Sequence, residues 1–506
     1  MDTKVKQTEH FGIDFGTTNI AVSRIILDSD TYKAFLNRYG EDGVPFPSIL
    51  AVREENGSGK VRFGRKVKTQ IATMQDEGYE IIKSIKTALG NEDIVYNVGS
   101  LRLTPTRVVG GLMKAIKRYL ATVSQKQVEM QTATVAVPVG FSSAQRRELC
   151  KAFEKAGIQV KKIISESMAA YIRNRNEVAG LSTVMVFDWG GGTLDISLLK
   201  VEKGKVHEIT TDGYPVAGDA IDNTIAEFVH TQLVKNPQMH INTAFKDLAV
   251  SDKTKLLTEC EKAKIIFSDE DEIDSPAFIS MVDYCGEKTA VYRLKYDDFR
   301  AKIEGIVSDA VALINTVLKK ANMSLIDLDA IIMVGGSSNL LPLRQIMETQ
   351  FRIKHNIKVV YPEKTQWSVA EGAAIVDSVE CQYELNQDLN ILMCDETAFP
   401  IIPRGSAIPF NGEAVTFGTV DNATSANFII SDSNDNILDR ITMPAKGFLG
   451  EYFDVQGSID NSLVAKIVFS GNRMMGSVKP QVVEINKLSY YCDISEIEKY
   501  QFEIKE

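Results

Sequence analysis

Two segments of the sequence, residues 14–23 and 188–197, repeat the same arrangement of chemically useful side chains. Each has an aspartate at the end of an apolar strand, then a turn rich in glycine and threonine, then a second apolar strand. Glycine lets a turn reach positive φ and approach a ligand closely, while backbone N–H groups and threonine hydroxyls bind anions. Aspartate oxygens suit Mg²⁺, directly or through water. Two such hairpins facing each other would hold a polyphosphate and its metal, as phosphoryl transfer requires.

A third segment favours the same interpretation. Residues 331–334 form an apolar run that enters Gly335-Gly336 and then Ser337, where a helix is predicted to begin. Glycine turns at helix N-termini suit nucleotide phosphates. Taken singly, an Asp-x-Gly hairpin is usually only a turn, and a Gly-Gly turn can be purely structural. Two hairpins in register with this third turn predict a nucleotide site.

One predicted helix carries polar residues on a single face. Apolar residues recur at helical spacing through residues 254–267. Glu261, Lys264 and Ser268 are three and then four residues apart, so they share a face of this helix. Their side chains could bond ribose hydroxyls and the edge of a base. The alternative is a solvated ion pair between Glu261 and Lys264.

These segments need a scaffold of alternating strands and helices, and residues 1–380 show that pattern. Residues 134–138 predict a strand, and Ser142 with Gln145 predicts the capping box of a helix that ends at Gly157. Residues 160–164 predict the next strand. Alternation of this kind is typical of an α/β domain.

The pattern changes after residue 380. Residues 381–388 are mostly polar and predict a linker or an exposed helix end. Beyond them, short strand-like runs separated by turn residues predict a separate all-β domain of sandwich type over residues 389–506. The predicted strands are residues 389–393, 406–410, 414–417, 427–431, 463–469 and 481–485.

Composition and charge exclude several classes of protein. The chain has 506 residues and a net charge of −10, which argues against nucleic acid and anionic membranes as partners. No apolar run reaches the ~20 residues needed to cross a bilayer, and the first ten residues lack the apolar core of a signal peptide. The six cysteines are scattered, and with only five histidines this argues against zinc sites and disulfides. We therefore expect a cytoplasmic protein.

The three turns together resemble the nucleotide-binding domain of the seventy-kilodalton heat-shock chaperones (the DnaK family), within the actin–hexokinase–chaperone ATPase superfamily. The resemblance covers about the first 380 residues, and a weaker one at residues 399–409 matches an early strand pair of the family's β domain. It implies an α/β, two-lobed, actin-like ATPase domain followed by a small all-β sandwich domain. Further matching segments are residues 135–146, 163–170, 260–264 and 371–374. The implied domains are residues 1–380 for nucleotide binding, 381–388 as a polar linker and 389–506 as a truncated β domain for substrate or partner binding.

The resemblance also implies roles for individual residues, and ATP or ADP with Mg²⁺ as cofactors, with K⁺ as a further candidate. The implied catalytic residues are Asp14, Lys86, Glu166, Asp188, Thr193 and Asp195. Among them, the implied organisers of Mg²⁺ and its waters are Asp14, Asp188 and Asp195. The implied nucleotide-binding residues are Gly16, Thr17, Thr18, Asn19, Gly190, Gly191, Gly192, Thr193, Gly218, Asp219, Glu261, Lys264, Ser268, Gly335, Gly336, Ser337 and Glu363.

Two of these implications have a competing explanation. Lys86 matches the family's catalytic lysine near the γ-phosphate, and its spacing to Gly90 favours it over the nearby Lys83. Glu166, with Pro138 and Arg146, would form a relay that reports the nucleotide state to the surface. On physical grounds alone, the proline can simply end a strand and the arginine can be an ordinary surface charge.

Four features depart from the family pattern. Ile265 and Asn339 stand where the family has arginines that flank the adenine, so we expect weaker or less base-selective nucleotide binding. Residues 362–372 form a longer stretch, which alters one wall of the adenosine pocket. The linker is polar where the family's linker is apolar, and residues 495–506 are at most a short charged tail in place of a helical lid. Coupling between the domains and trapping of substrate should therefore be weak.

Four functions stay open at this point. The leading hypothesis is a slow, Mg²⁺-dependent ATPase of chaperone type, whose β domain binds unfolded polypeptide or a specific protein partner. A J-domain co-chaperone and a nucleotide exchange factor are further candidate partners. The second hypothesis is a nucleotide-sensing scaffold or co-chaperone with little hydrolysis, and the third is a sugar or acid kinase of the same superfamily. An actin-like filament former is the fourth.

Overall fold

The computed structural model describes residues 9–28, 31–125, 128–379, 381–447, 450–471, 479–485 and 488–504. Up to residue 378 strands alternate with helices, and from residue 383 onward the regular structure is almost entirely β-strand. Within the described ranges, no helix is both long enough and apolar enough to cross a membrane.

The first α/β unit comprises residues 9–178. Its strands are β1 (Glu9–Phe15), β2 (Asn19–Asp28), β3 (Lys33–Tyr39), β4 (Phe46–Pro47), β5 (Ile49–Glu55), β6 (Ser58–Phe63), β7 (Glu80–Lys83), β8 (Tyr96–Val98), β9 (Leu101–Leu103), β10 (Thr132–Val137) and β11 (Gln159–Ser165). Its helices are α1 (Arg65–Thr69), α2 (Ile71–Asp76), α3 (Ile85–Ala88), α4 (Pro105–Val123), α5 (Ser143–Lys155) and α6 (Glu166–Asn174). The central sheet has the order β11-β10-β1-β2-β3, and β1, β2 and β3 are antiparallel neighbours.

The second α/β unit comprises residues 183–378. Its strands are β12 (Thr183–Trp189), β13 (Leu194–Glu202), β14 (Lys205–Tyr214), β15 (Ala277–Tyr284), β16 (Glu287–Leu294), β17 (Ala330–Val334) and β18 (Lys358–Val360). Its helices are α7 (Gly218–Lys235), α8 (Val250–Ile266), α9 (Tyr296–Lys320), α10 (Leu341–Ile346) and α11 (Ser368–Ser378). The central sheet has the order β18-β17-β12-β13-β14.

The two units share one topology. In each sheet three antiparallel strands are followed by two strands parallel to the first, so β1, β2 and β3 correspond to β12, β13 and β14. Asp14 and Asp188 are each the penultimate residue of the first strand. The repeat seen in the sequence is therefore a repeat of the structure, and it places both aspartates at the same end of their sheets.

Residues 383–504 supply the remaining strands. They are β19 (Tyr383–Leu385), β20 (Leu389–Leu392), β21 (Ala398–Ile402), β22 (Ala407–Ile408), β23 (Phe410–Asn411), β24 (Val415–Gly418), β25 (Ser425–Ser431), β26 (Ile437–Pro444), β27 (Tyr452–Ile459), β28 (Ala465–Gly471), β29 (Gln481–Ile485), β30 (Tyr490–Asp493) and β31 (Gln501–Ile504). Two sheets, β21-β20-β25-β26 and β23-β27-β28-β29, form a sandwich. Five of the predicted strand runs match β20, β24, β25, β28 and β29, and the run at 406–410 divides into β22 and β23.

The stretch predicted as a polar linker is instead partly a buried strand. Cys381, Tyr383 and Leu385 are at most 3% exposed, and β19 pairs with β22 and β30. Every second residue faces the core while the residues between them are polar. This alternation is typical of a half-buried strand, and over so few residues it is hidden by the average polarity of the segment.

The prediction of a charged tail at residues 495–506 is also wrong for residues 495–504, the part that the structure describes. β31 pairs in parallel with β3, with Leu36 opposite Ile504. β30 pairs with β14, with Val206 opposite Cys492. Residues assigned to the β domain by sequence therefore extend the central sheets of both α/β units.

The sandwich packs against both α/β units. One hydrophobic core contains Ile164 of the first unit, Val186 of the second unit and Ile430 and Ile467 of the sandwich. Their burial in one continuous cluster means that the three parts stabilise one another through the same apolar contacts.

Helix α11 packs directly against α6 and β1 through glycines. A β-carbon added at Gly372 would collide with the backbone of Ala169, and one added at Gly12 would collide with the backbone of Ala370. The backbones are therefore in contact where the helix crosses the first unit, and only glycine permits this approach.

Replacing Gly372 with alanine is expected to lower the free energy of unfolding by about 2–3 kcal/mol, because the added methyl meets backbone rather than a movable side chain. Urea titration of the purified variant measures the change. Gly305 in the exposed middle of α9 is the matched control, since nothing lies within 4 Å of an added β-carbon there, and alanine should stabilise that helix by about 0.5–1 kcal/mol. Equal effects at the two sites would contradict the close crossing.

Candidate nucleotide-binding site

A cavity of about 490 Å³ lies between the two α/β units and is lined by residues of both. All the catalytic and nucleotide-binding residues predicted from the sequence line it, except Gly218. Gly218 lies just behind the wall, where its carbonyl accepts a hydrogen bond of 3.2 Å from Lys264 Nζ. Sequence reasoning brought together residues up to 349 positions apart, from Asp14 to Glu363, and the structure places them around one space.

The two repeated hairpins meet at the cavity. A β-carbon added at Gly191 would lie 2.6 Å from Thr18 Oγ1 and 2.8 Å from Thr18 Cβ. Thr18 Oγ1 also donates to Asp219 Oδ2 over 3.4 Å, which links the β1–β2 turn to the start of α7. The absence of a side chain at Gly191 is therefore what allows the turns of the two units to touch.

Positive φ, expected from the sequence for the glycines in these turns, is found in only one of the three turns. Gly16, Gly190, Gly191 and Gly192 do not have positive φ, so conformational freedom does not explain them. Close approach of another residue explains the glycine at position 191, where an added β-carbon would collide with Thr18. In the third turn both reasons hold, because Gly335 has φ 81° and an added β-carbon would lie 2.6 Å from Asp188 Oδ1.

Hydrogen bonds from two other segments brace the β12–β13 turn. Ser337 Oγ donates to the Gly190 carbonyl at 2.7 Å, and the backbone N–H of Asp219 donates to the Gly191 carbonyl at 2.7 Å. These carbonyl oxygens, which would repel a phosphate, are thus engaged by protein donors. The bracing also ties the Gly335 turn and the N-terminus of α7 to the same position.

Lys86 lies inside the cavity and is paired with Glu166. Lys86 Nζ donates to Glu166 Oε1 at 2.6 Å, and the two residues are 5% and 9% exposed. Burial acts to lower the pKa of Lys86, but the neighbouring carboxylates of Glu166 and Asp14 outweigh it and raise that pKa, so the side chain stays an ammonium ion. Lys83 instead lines a neighbouring cavity of about 260 Å³, and burial lowers its pKa.

The carboxylates around Lys86 are in an environment that disfavours their negative charge. Burial, with the nearby Glu166, raises the pKa of Asp14 to about 7. Burial also raises the pKa of Asp188 well above its usual value, and that of Asp195, whose carboxylate accepts a hydrogen bond of 2.8 Å from Thr193 Oγ1. A bound cation would relieve this cost, because opposite charge favours the ionised form of a carboxylate.

The donor set fits Mg²⁺ held through its waters. Among the described residues, no three Asp, Glu, His or Cys side chains converge closely enough to coordinate one metal ion directly. Mg²⁺ keeps several of its water ligands and is usually bound by one or two carboxylates together with substrate phosphates. Asp14, Asp188 and Asp195 around a glycine-lined space suit that second arrangement, so the metal prediction stays a prediction in its water-mediated form.

The polar face of α8 is less free than the sequence suggests. Lys68 Nζ of the first unit lies 2.8 Å from both carboxylate oxygens of Glu261, and Lys264 Nζ lies 2.8 Å from Asp222 Oδ2. Two of the three residues predicted to bind ribose and the base edge, Glu261 and Lys264, therefore already have ionic partners. Because Lys68 and Glu261 belong to different units, their ion pair closes one side of the cavity.

Replacing Lys68 with alanine is expected to speed nucleotide release about three- to tenfold, because the ion pair that joins the units across the cavity is lost and such partly exposed pairs contribute about 1 kcal/mol. Stopped-flow displacement of a fluorescent ADP analogue measures the rate. Lys66, exposed on the same short helix, is the matched control and should release nucleotide at the wild-type rate. Identical rates for both variants would show that the ion pair does not close the cavity.

The wall expected to face the base consists of Ile265, Asn339 and the segment after Pro362. Ile265 is 63% exposed at the cavity. Asn339 Nδ2 donates to Thr365 Oγ1 at 2.8 Å and so holds two turns of the wall together. Asn339 therefore stabilises the wall but carries no charge, whereas an arginine at that position could form a cation–π contact with a base.

Several lining residues were not found from the sequence. Val44 and Pro45 line the cavity from the first unit, and Lys68 closes it. None of them belongs to a motif, and their role depends on a contact with residues far along the chain. Of the Glu363–Gln366 stretch, which supplies much of the wall near Asn339, only Glu363 was predicted from the sequence as a binding residue; its other residues were noted only as part of a longer segment.

Comparison with known proteins agrees with this geometry. The family model described as Hsp70 protein matches residues 10–407, which is most of the chain and, apart from residue 9, all of both α/β units. The chain belongs to the Hsp70 family. Hsp70 proteins are ATP-dependent chaperones that bind ATP or ADP with Mg²⁺ and hydrolyse ATP. Their fold combines an actin-like ATPase domain with a β-sandwich.

A curated relative supports the same assignment. The chaperone protein DnaK of Mycoplasmopsis agalactiae is 28% identical over 430 residues, which cover 83% of this chain and 68% of the relative. The Hsp70 family model ends at residue 407, inside β22. Most of the sandwich, from β23 onward, and the C-terminal strands lie beyond the residues that the family model matches.

Proposed function

We propose that this Hsp70 protein hydrolyses ATP slowly, with Mg²⁺, in the cavity between its two α/β units, which act as the two lobes of an actin-like domain. The observation that carries the proposal is the buried Lys86–Glu166 pair. It lies in a space walled by two matching hairpins and three aspartates. Positioning and charge placement supply most of the catalysis in phosphoryl transfer, and this cavity offers both.

Each group in the cavity has a separate task. The β1–β2 and β12–β13 turns hold the phosphates, and Lys86 places a positive charge beside the γ-phosphate while Glu166 fixes its direction. Mg²⁺, when bound, supplies the positive charge that offsets the phosphates and the carboxylates. In this proposal Asp195, which lines the cavity and whose orientation is held by the Thr193 hydroxyl, holds the attacking water and accepts its proton.

We propose that the sandwich binds unfolded polypeptide or a specific protein partner, as DnaK-like chaperones in general do. J-domain co-chaperones and nucleotide exchange factors are the corresponding candidate partners. One observation favours the alternative of a scaffold with little hydrolysis: the sandwich is fixed to the ATPase region. Arg146 NH1 donates to the carbonyls of Ser462 and Leu463 at 3.2 and 3.4 Å, and Arg147 forms an ion pair with Glu484. The cytoplasmic location predicted from the sequence stays a prediction.

Steady-state phosphate release tests these functions against each other. The measurement uses purified protein with Mg²⁺ and ATP, with and without reduced, carboxymethylated lactalbumin as a permanently unfolded polypeptide. Turnover that rises with the polypeptide supports a chaperone cycle. ATP binding in an isothermal titration, with no phosphate release above background, supports the scaffold. ADP formation that rises only when a small hydroxylated acceptor is added supports a kinase, because a kinase transfers the phosphoryl group to the acceptor and releases no free phosphate.

A further inference from the structure

The C-terminal segment, residues 488–504 (the strap), joins the central sheets of the two α/β units. β30 lies between β14 and β19, and Cys492 is the register partner of both Val206 and Tyr383. β31 then adds to the far edge of the first unit's sheet by pairing with β3. The strap thus begins on the edge strand of one unit and ends on the edge strand of the other.

Side chains anchor the strap between its two strands. Ile497 is fully buried and Ile494 is 3% exposed, in the core shared by all parts of the protein. Arg175 of the first unit donates to the Ile497 carbonyl at 3.4 Å, and its guanidinium lies 5.1 Å from the centre of the Phe502 ring. The connection between β30 and β31 is therefore packed in place rather than looped out.

Further contacts hold β31 on the first unit. Lys33 Nζ lies 2.8 Å from Glu503 Oε1, and the rings of Tyr32 and Tyr500 lie 5.5 Å apart. The backbone N–H of Gln501 donates to the Tyr32 carbonyl at 2.9 Å. Residues 494–500 have little slack, because they can lengthen only if Ile497 leaves the core.

We propose that the strap restrains the separation of the two α/β units and thereby sets the rate of nucleotide release, an inference that rests on the proposed ATP-binding cavity. The cavity lies between the units, so a nucleotide held between the two hairpins leaves when the hairpins move apart. That movement shifts β3 relative to β14, to which the two ends of the strap are paired. The strap also fills the edge of β14, so β19, in the segment after α11, joins the strand pairing of this sheet through β30.

The test uses variants in which β31 alone is released or removed. Phe502→Asp with Ile504→Asp places charge on the two residues of β31 that face the protein, while Gln501→Asp, on the exposed alternate face, is the matched control. A chain ending at Tyr500 is a third variant, which lacks β31 entirely. None of these changes touches a residue that lines the nucleotide cavity.

Two readouts are combined. Displacement of a fluorescent ADP analogue should be at least tenfold faster in the double variant and the shortened chain, and unchanged in Gln501→Asp. The rate of hydrogen exchange, followed by mass spectrometry in the nucleotide-free double variant and shortened chain, should rise at the β12–β13 turn and at α3, which line the cavity and are not strand partners of the strap.

Release rates within twofold of wild type, with unchanged exchange at these two segments, would overturn the proposal. If the wild-type chain binds no nucleotide, the proposed function fails. Hydrogen exchange at the β12–β13 turn and α3 then tests by itself whether the strap restrains the two units, and unchanged exchange again overturns the proposal.

Discussion

Replacing Lys86 with alanine is expected to lower the rate of ATP hydrolysis about 10²–10³-fold, the range seen when one preorganised charged or polar group is removed from a transition state. Lys86 is the buried cation of the cavity beside Glu166, at 2.6 Å. In the proposed mechanism its charge acts on the phosphoryl group as negative charge redistributes during transfer, so the loss should appear in kcat. Affinity for ATP should change only a few-fold, because the hairpins and the metal still hold the nucleotide.

Lys83 provides the matched control for this experiment. It lies three residues earlier but lines the neighbouring cavity, so Lys83→Ala should hydrolyse ATP within a few-fold of wild type. Single-turnover phosphate release and isothermal titration with ATP separate the chemical step from binding. A larger loss of turnover in Lys83→Ala than in Lys86→Ala would reverse the assignment of the two lysines.

Replacing Gly191 with alanine is expected to reduce ATP hydrolysis about 10²-fold, because an added methyl would lie 2.6–2.8 Å from Thr18 and force the two hairpins apart. The threonine has little room to yield, since its carbonyl accepts a hydrogen bond of 2.8 Å from the Ser48 N–H. A displacement of about 1 Å in a reacting geometry costs a rate of this order. Affinity for ATP should fall as well, because both hairpins hold the phosphates.

Gly190→Ala tests whether the effect is specific to the contact. The nearest atom to a β-carbon at Gly190 is 3.7 Å away, so this variant should keep most of its activity although it changes the same turn. Removing the opposing side chain in Gly191→Ala/Thr18→Gly should restore part of the loss, as coupled neighbours do in a double-mutant cycle. Equal losses at both glycines would show that the turn needs flexibility and not close approach.

Short-range features of the fold could be predicted from the sequence because a few neighbouring residues decide them. The capping box of α5 forms as expected, with Ser142 Oγ accepting from the Gln145 N–H at 3.2 Å and Gln145 Oε1 accepting from the Ser142 N–H at 2.9 Å. Gly157, with φ 73°, follows the end of that helix. The helix expected at residues 254–267 is α8, Val250–Ile266.

Features that depend on distant partners were missed or misassigned. The segment around Tyr383 was expected to be a linker because its average polarity is high, yet β30, more than a hundred residues later, gives it a strand partner. Likewise, residues 501–504 become a strand only because β3 offers an open edge. Strands this short have little intrinsic preference, and the neighbouring strand decides their conformation.

The sequence by itself determined which chemical groups line the proposed nucleotide cavity, because the two glycine- and threonine-containing hairpins and the Gly-Gly turn are local motifs whose residue types and spacing define their chemistry. Only the tertiary structure decided how these groups are paired and enclosed: Glu166 on Lys86, Glu261 on Lys68, and the strap across both sheets. Those contacts join residues 80 to more than 400 positions apart. They form only when burial of the shared core offsets the conformational entropy lost in bringing such distant segments together.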